Sequence, residues 1–333
     1  MQGRRGARTA ERPGRALRVF SLIALAAMFA MLLAACGEED NGGNPPTPTT
    51  PPTATPTVAP PSPTITPDAI VHPMGRDDIV LIVEVSGGFV PPFVLATELP
   101  TFVLTGDGRV IVQGPMIEIY PQPALPNLRV TQLTEEGVQA ILRAAKEAGL
   151  LDGDLNLPYD GIADAPTTFV TTNAGGQVSV VSAYALGMEI DDSLATPEVA
   201  AAREKVAAFI AKLSDLSSWL APNDIISQDE EYAITRMQIV TQPADLSFGS
   251  GDDSITPQVK PWPLAIAPDA IGEPFFMEQS RCVVLEGADL ETMLTALADA
   301  NQLTRWTSGD AEYVVYIRPL IASQAGCVAP GNR

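Results

Sequence analysis

The sequence predicts an α+β fold with two related lobes of mainly antiparallel strands, each with a packed helix, plus one connecting helix. Short segments rich in β-branched residues recur from residue 79 onward and are separated by turn residues. Two longer stretches have helix-capping residues followed by apolar residues at helical spacing. Residues 281–303 also repeat the apolar spacing of residues 129–151. These features together indicate two strand-rich units of similar plan.

The strands of the first lobe are indicated by their β-branched residues and by the turns between them. Residues 79–86, "IVLIVEVS", form the clearest strand. The tripeptide "GDG" between residues 102–105 and 109–112 predicts a tight hairpin. The tetrapeptide "NAGG" predicts a second turn, between strands at residues 167–172 and 177–183. The first lobe is therefore expected to consist largely of hairpins.

Two helices are predicted from their caps. Thr134 is a capping residue, and Glu135 and Glu136 follow it in the first turn, where the helix dipole favours negative charge. Gly149 is expected to end this helix. A Thr-Pro-Glu sequence opens the connecting helix at residues 196–217.

The possible repeat pairs a short strand with the helix that follows it. In both copies a further strand comes next, at residues 167–172 and 312–317. The aligned apolar pairs are Leu133 with Leu285, Val138 with Leu290, Ile141 with Met293, Leu142 with Leu294, and Leu151 with Leu303. Because few positions are identical, both a structural repeat and ordinary amphipathic periodicity explain the match.

The N-terminus has the three-part order of a secretory signal. Arginines are frequent up to Arg18, residues 19–35 are almost entirely apolar, and the small residues Ala34 and Ala35 precede Cys36. Alternatives are an ordinary secretory signal or an uncleaved membrane anchor, for which 17 apolar residues are at the short limit.

The tetrapeptide Leu33-Ala34-Ala35-Cys36 resembles a bacterial lipobox. The resemblance implies that the Cys36 sulfur receives a diacylglyceryl group and that the peptide before it is removed. Acyl chains attached there would hold the chain in the lipid bilayer. The expected location is thus the cell membrane, lipid-anchored and facing the extracytoplasmic side. The resemblance is limited to the N-terminal region and implies nothing about the folded part.

Four segments are expected along the chain. Residues 1–35 are the lipoprotein signal peptide, and residues 36–75 are the lipidated N-terminus and a Pro/Thr-rich disordered stalk, with ten Pro and eight Thr between residues 45 and 67. Residues 76–222 form the N-terminal α+β lobe, and residues 223–333 form the C-terminal α+β lobe.

The charge of the chain argues against one class of partner, and its cysteine content predicts a disulfide. Without the signal peptide the chain has 14 basic and 39 acidic residues, a net charge of −25. Nucleic acid is bound through basic patches, so it is not expected as a partner. Beside Cys36 the chain has only Cys282 and Cys327, and an even pair in an exported domain predicts one disulfide.

The sequence has few candidates for catalytic or metal-binding groups. Its one histidine, His72, is assigned to the stalk, which argues against a His-based triad or a His-ligated zinc. No nucleotide-binding or nucleophile motif is found. A pair of carboxylates remains chemically available, but the many acids single out no pair.

The one metal-like stretch is "DGDLNLPYDGIAD", residues 152–164. Its weak candidate ligands for Ca²⁺ are Asp152, Asp154, Asn156 and Asp160, spaced in part like an EF-hand loop. The pattern fails further on, because leucine occupies the position that needs glycine and alanine the position that needs glutamate. The alternative is a solvated loop of turn-forming residues, so no cofactor is expected apart from this Ca²⁺ candidate.

Two Pro-interrupted loops contain Phe89, Phe93 and Tyr120. Exposed rings there would suit contact with a partner or glycan, whereas buried rings would belong to the core. The favoured function is a non-catalytic binding module for an envelope protein or polymer such as a glycan. The alternatives are a carboxylate-dependent envelope hydrolase and, less favoured, a transport-linked solute-binding protein.

Overall fold

Two sheets form the framework of the residues that the computed structural model describes, which are 68–188, 194–247 and 255–329. The first has eight strands and the second has six, and four α-helices accompany them in this part of the chain. The α+β class expected from the sequence is confirmed. None of the helices in the described ranges is long and apolar enough to cross a membrane. Cys36 and the lipobox lie outside these ranges.

The first sheet contains both hairpins that the sequence predicts. Its strands have the order β5-β7-β6-β1-β2-β3-β4-β8, and all neighbours are antiparallel except β5 and β7. The strands are β1 (Ile79–Gly87), β2 (Phe102–Thr105), β3 (Arg109–Gln113), β4 (Leu128–Leu133), β5 (Leu155–Leu157), β6 (Pro166–Ala174), β7 (Gln177–Tyr184) and β8 (Ile225–Glu231).

Helices α2 (Glu135–Glu147) and α3 (Pro197–Leu213) pack on the first sheet and begin at the predicted caps. The side chain of Thr134 accepts a hydrogen bond from the backbone N–H of Gly137, 3.2 Å away. Thr196 accepts one from Val199 in the same way, at 3.3 Å. Each bond satisfies a donor that the helix leaves unpaired, which stabilises a cap by about 1 kcal/mol.

The second sheet has the order β10-β13-β14-β9-β12-β11. Its strands are β9 (Met237–Pro243), β10 (Val259–Pro261), β11 (Glu273–Pro274), β12 (Arg281–Leu285), β13 (Arg305–Ser308) and β14 (Ala311–Pro319). Helix α4 (Gly287–Leu297) covers one face, where Leu290, Met293 and Trp306 are buried. In a separate cluster of buried residues, Cys282 packs with Ala96 of the short helix α1 (Pro92–Thr97), which belongs to the first half of the chain.

The aligned segments of the possible repeat adopt the same local structure. In each, a strand leads into a helix: β4 into α2, and β12 into α4. Leu133 and Leu285 are both buried, and Ile141 and Met293 are both fully buried at the helix centres. The surrounding sheets differ, because β4 pairs with β3 and β8 whereas β12 pairs with β9 and β11. The likeness is therefore a shared strand–helix unit in two differently ordered sheets.

Two expected segment boundaries differ from what the structure describes. Strand β8 pairs with β4, so the first sheet continues past residue 222, because this last edge strand comes after the connecting helix. Residues 70 and 71, which lie near the end of the expected stalk, also contact the folded part of the chain. The backbone N–H of Ile70 donates to Gln139 Oε1 at 2.8 Å, and Gln139 Nε2 donates back to the Ile70 carbonyl at 2.9 Å. The backbone N–H of Gly175 donates to the Val71 carbonyl at 2.7 Å, so this segment is part of the folded unit.

Candidate functional site

The two sheets are joined through helix α1 and the residue after it. Gln238 Nε2 on β9 donates to the Ala96 carbonyl at 2.9 Å, and both residues are fully buried. Arg318 Nε on β14 donates to the Glu98 carbonyl at 2.9 Å. Hydrogen bonds in buried surroundings hold their partners firmly, because an unpaired group there is costly. The contacts therefore restrict movement of one sheet relative to the other.

A loop between β3 and β4, residues 114–127, makes a second connection, and we call it the strap. The backbone N–H of Ala124 donates to the Ala300 carbonyl at 3.0 Å, and that of Gln302 donates to the Gln122 carbonyl at 2.9 Å. Ala124 and Leu125 also pack against the core of the second sheet. The strap thus starts and ends in the first sheet while its middle is attached to the second.

A cleft of about 460 Å³ lies between the strap, helix α1 and the second sheet. This volume falls within the range of about 300–1,000 Å³ usual for small-ligand sites. Its walls combine aromatic and amide side chains from distant parts of the chain. Six lining residues matter for its chemistry: Phe93, Gln113, Tyr120, Gln302, Arg305 and Tyr316.

The cleft contains little charge. Among the described residues, no Asp, Glu or His lines it, although the whole chain has 40 acidic residues. Arg305 is the one cation in this lining, and its Nη1 donates to the Ala244 carbonyl at 2.9 Å. The Gln113 and Gln302 side chains are exposed and make no hydrogen bond within the described part of the chain. The polar side chains in this lining are therefore mostly neutral amides and hydroxyls.

Aromatic rings form one wall and one edge of the cleft. The Phe93 and Tyr316 rings are stacked, with centroids 5.2 Å apart and planes 13° apart. Burial raises the pKa of the Tyr316 phenol, and the nearby Arg305 partly opposes this. Tyr120 is 52 % exposed on the strap, whereas Trp306 is almost fully buried. A ligand would meet Tyr120 at the surface and the Phe93–Tyr316 pair deeper inside.

The three aromatic residues that the sequence suggests as contact residues, Phe89, Phe93 and Tyr120, thus lie in different surroundings. Phe89 is 92 % exposed at the end of its loop, whereas Phe93 is partly buried against the second sheet. Tyr120 lies beside further exposed apolar residues on the strap, which are Met116, Ile117 and Ile119. Such a group on one loop is typical of a contact surface.

A second cavity of about 510 Å³ lies between the first sheet and the end of α3. Of these two cavities, only the second has carboxylates in its described lining, those of Asp215 and Asp229. Asp229 Oδ1 accepts from Arg129 Nε at 2.7 Å, and this bond is the main cause of the raised pKa of Arg129. Asp215 Oδ1 accepts from Ser217 Oγ at 2.7 Å and from the Ser218 backbone at 3.2 Å. Both carboxylates already have local partners.

Two side chains of the metal-like loop accept hydrogen bonds from strand β7. Asp154 Oδ1 accepts from the backbone N–H of Val180 at 2.8 Å, and Asn156 Oδ1 accepts from Ser182 Oγ at 2.9 Å. Asp152 and Asp160 are exposed. In the described ranges, no three or more His, Cys, Asp or Glu side chains form a group that could hold a metal ion. Two of the four candidate Ca²⁺ ligands thus accept hydrogen bonds from β7.

The disulfide between Cys282 and Cys327 is confirmed. His72, by contrast, is not an exposed stalk residue. It is buried, its Nδ1 lies 2.7 Å from the Pro73 carbonyl oxygen, and its Nε2 lies 3.1 Å from Glu135 Oε1. The histidine thus attaches the residues before the first strand to the start of α2.

Comparison with protein-family models, curated proteins and solved structures finds no match. The function must therefore be inferred from the geometry of the site. Sequence reasoning singled out Phe93 and Tyr120 but missed Gln113, Gln302 and Tyr316. The two Pro-interrupted loops that contain Phe93 and Tyr120 are the sequence signal for the cleft, and they give no indication of the opposite wall.

Proposed function

We propose that the chain is a membrane-anchored extracytoplasmic lipoprotein whose folded part is a non-catalytic binding module. The cleft between the strap, α1 and the second sheet is its ligand site. The lipobox resemblance supports the anchor, and an envelope protein or envelope polymer is the partner class that suits this location. The observation that carries the proposal is a cleft without Asp, Glu or His among its described lining residues.

The missing groups matter because hydrolysis needs a proton acceptor or donor at the reacting bond. His, Asp and Glu are the usual general acids and bases, and glycoside hydrolysis uses two carboxylates. Arg305, the one cation in the described lining, already donates to a backbone carbonyl. The described cleft thus offers contact area and hydrogen bonds without an acid–base pair.

The two alternative functions receive less support. The carboxylates of the second cavity are bound by Arg129 and by the turn after α3. For a transport-linked solute-binding protein, closure of two lobes around the ligand is expected. Here the strap and the buried Gln238–Ala96 hydrogen bond join the two sheets, which favours a fixed cleft.

A retention experiment on isolated cell envelopes tests the proposal. The full chain in mild detergent is incubated with envelope fragments, with and without Ca²⁺, and bound protein is measured after washing. We expect retention that falls in the double variant Gln113→Ala/Gln302→Ala. The matched control is Gln228→Ala, which removes an exposed amide on β8 that lines the second cavity and lies outside the cleft.

The same incubations are analysed for released products by mass spectrometry. No cleavage of peptidoglycan fragments, glycans, esters or peptides is expected. Turnover that disappears when one Asp or Glu is neutralised, with the fold intact by circular dichroism, would instead establish a hydrolase. Retention that is equal in the double variant and in Gln228→Ala would contradict the cleft as the binding site.

A further inference from the structure

We infer that the cleft takes a segment of an uncharged carbohydrate chain, bound by side-chain amides and aromatic rings. This inference rests on the proposed binding function and adds the chemical class of the ligand. It follows from the charge of the cleft, from the backbone around it and from the side chains that line it.

The charge of the cleft favours a neutral ligand. A cationic ligand would need carboxylates, and the described lining has none despite the acidity of the chain. An anionic ligand would meet one cation, Arg305, already bonded to the Ala244 carbonyl, inside a protein with a net charge of −20. Removing an unpaired charge from water is costly, whether the charge belongs to the protein or to the ligand. An uncharged polar ligand avoids both costs.

The backbone around the cleft does not favour an extended peptide. Peptides are often bound by adding a strand to an exposed sheet edge. The strands that line this cleft, β3, β13 and β14, each have a neighbour on both sides. The strap segment at Gln122 and Ala124 already pairs with residues 300–302. Within the described part of the chain the cleft therefore offers no free strand edge, which leaves recognition to side chains.

The aromatic arrangement argues against a proline-rich peptide as well. Such peptides dock their prolines in slots between aromatic rings. The Phe93 and Tyr316 rings are 5.2 Å apart and nearly parallel, which leaves no room for a proline ring between them. The Tyr120 ring, which is 52 % exposed, offers an apolar face instead, on which the C–H groups of a sugar can lie.

The amide side chains supply the matching polar contacts. A sugar hydroxyl both donates and accepts, and a Gln side chain likewise has two donors and an accepting oxygen. Gln113 comes from the first sheet and Gln302 from the segment after α4, so the two amides approach the cleft from different elements. Amides on more than one wall suit a ligand with hydroxyls around its ring, and a volume of about 460 Å³ accommodates a short segment of chain.

Isothermal titration calorimetry of the full chain in nanodiscs tests the ligand class. The probes are two neutral oligosaccharides, chitohexaose and maltohexaose, an acidic oligogalacturonate, and a proline-rich peptide. We expect at least one neutral oligosaccharide to bind. The double variant Gln113→Ala/Gln302→Ala should weaken that binding about tenfold, as expected for lost neutral hydrogen bonds. Tyr120→Ala should weaken it as well, and Gln228→Ala should leave the Kd unchanged.

The outcomes separate this inference from the proposed function. Failure of both neutral oligosaccharides to bind overturns the carbohydrate assignment. Binding of the peptide or the oligogalacturonate that is lost in the double variant also overturns it, but leaves the cleft as a binding site. Oligosaccharide binding that is unchanged in the double variant, with its fold verified by circular dichroism, contradicts both the inference and the cleft.

Discussion

Arg203 on α3 gives the most direct test of how the first lobe is held together. It is buried, and its guanidinium donates to three backbone carbonyls, those of Leu157, Tyr184 and Ala185, at 2.8 to 3.2 Å. Its charge also lies 5.5 Å from the centre of the Tyr159 ring. Burial lowers the pKa of Arg203, and Tyr159 opposes this. One side chain thus joins α3 to the ends of β5 and β7.

The variant Arg203→Met keeps an apolar stem and removes the three hydrogen bonds. Each carbonyl left buried without a partner costs about 1–3 kcal/mol. We use the low end because burial of the guanidinium itself opposes folding, and expect a loss of about 3 kcal/mol in the free energy of unfolding. Urea denaturation of the full chain, followed by circular dichroism, measures this loss as a lower midpoint.

The matched control is Arg143→Met on α2, where the arginine is exposed and makes no hydrogen bond within the described part of the chain. This control should change the unfolding free energy by less than about 0.5 kcal/mol. A lysine at position 203 should restore only part of the stability, because one ammonium does not reproduce the fork of an arginine. Equal stabilities of Arg203→Met and Arg143→Met would refute the role given to Arg203.

Three further predictions concern the disulfide, the docked histidine and the anchor. Replacing Cys282 and Cys327 by Ala opens a loop with a sequence separation of 45 and should lower the unfolding free energy by about 4 kcal/mol on the chain-entropy model; a loss under about 1 kcal/mol would contradict that contribution. His72→Ala removes the contact with α2, so the Gly175 amide, which donates to the docked segment, should exchange its hydrogen faster than in the unchanged chain. Unchanged protection of that amide would show that the histidine does not hold the segment. Cys36→Ala should abolish acyl labelling in cells, and normal labelling of this variant would refute lipidation at that residue.

Much of the fold follows from local sequence signals. Thr134 and Thr196 mark the starts of α2 and α3 because a side-chain oxygen satisfies a backbone donor at the first turn. The glycines of "GDG" and "NAGG" mark two hairpins because they adopt positive φ, as Gly108 and Gly176 do. These signals act within a few residues, so a single sequence contains them in full.

The parts that the sequence did not predict depend on distant contacts. Strands β5, β10 and β11 have only two or three residues each, too few to show a period of two. The Pro-rich neighbours of His72 predict a stalk, but the buried position of this histidine depends on Glu135 in α2. The cleft was missed for the same reason, because Gln113 and Gln302 are brought together by the pairing of the strap with residues 300–302.

The most direct test of the central claim is photo-cross-linking on intact cells. A photoreactive amino acid is placed at position 302 inside the cleft and, as a control, at position 228 on β8 of the full lipoprotein. Cross-linked material is separated by mass and analysed for sugar and peptide. We predict a neutral carbohydrate adduct from position 302 and none from position 228. No adduct from position 302, or the same adducts from both positions, would contradict a ligand-binding cleft.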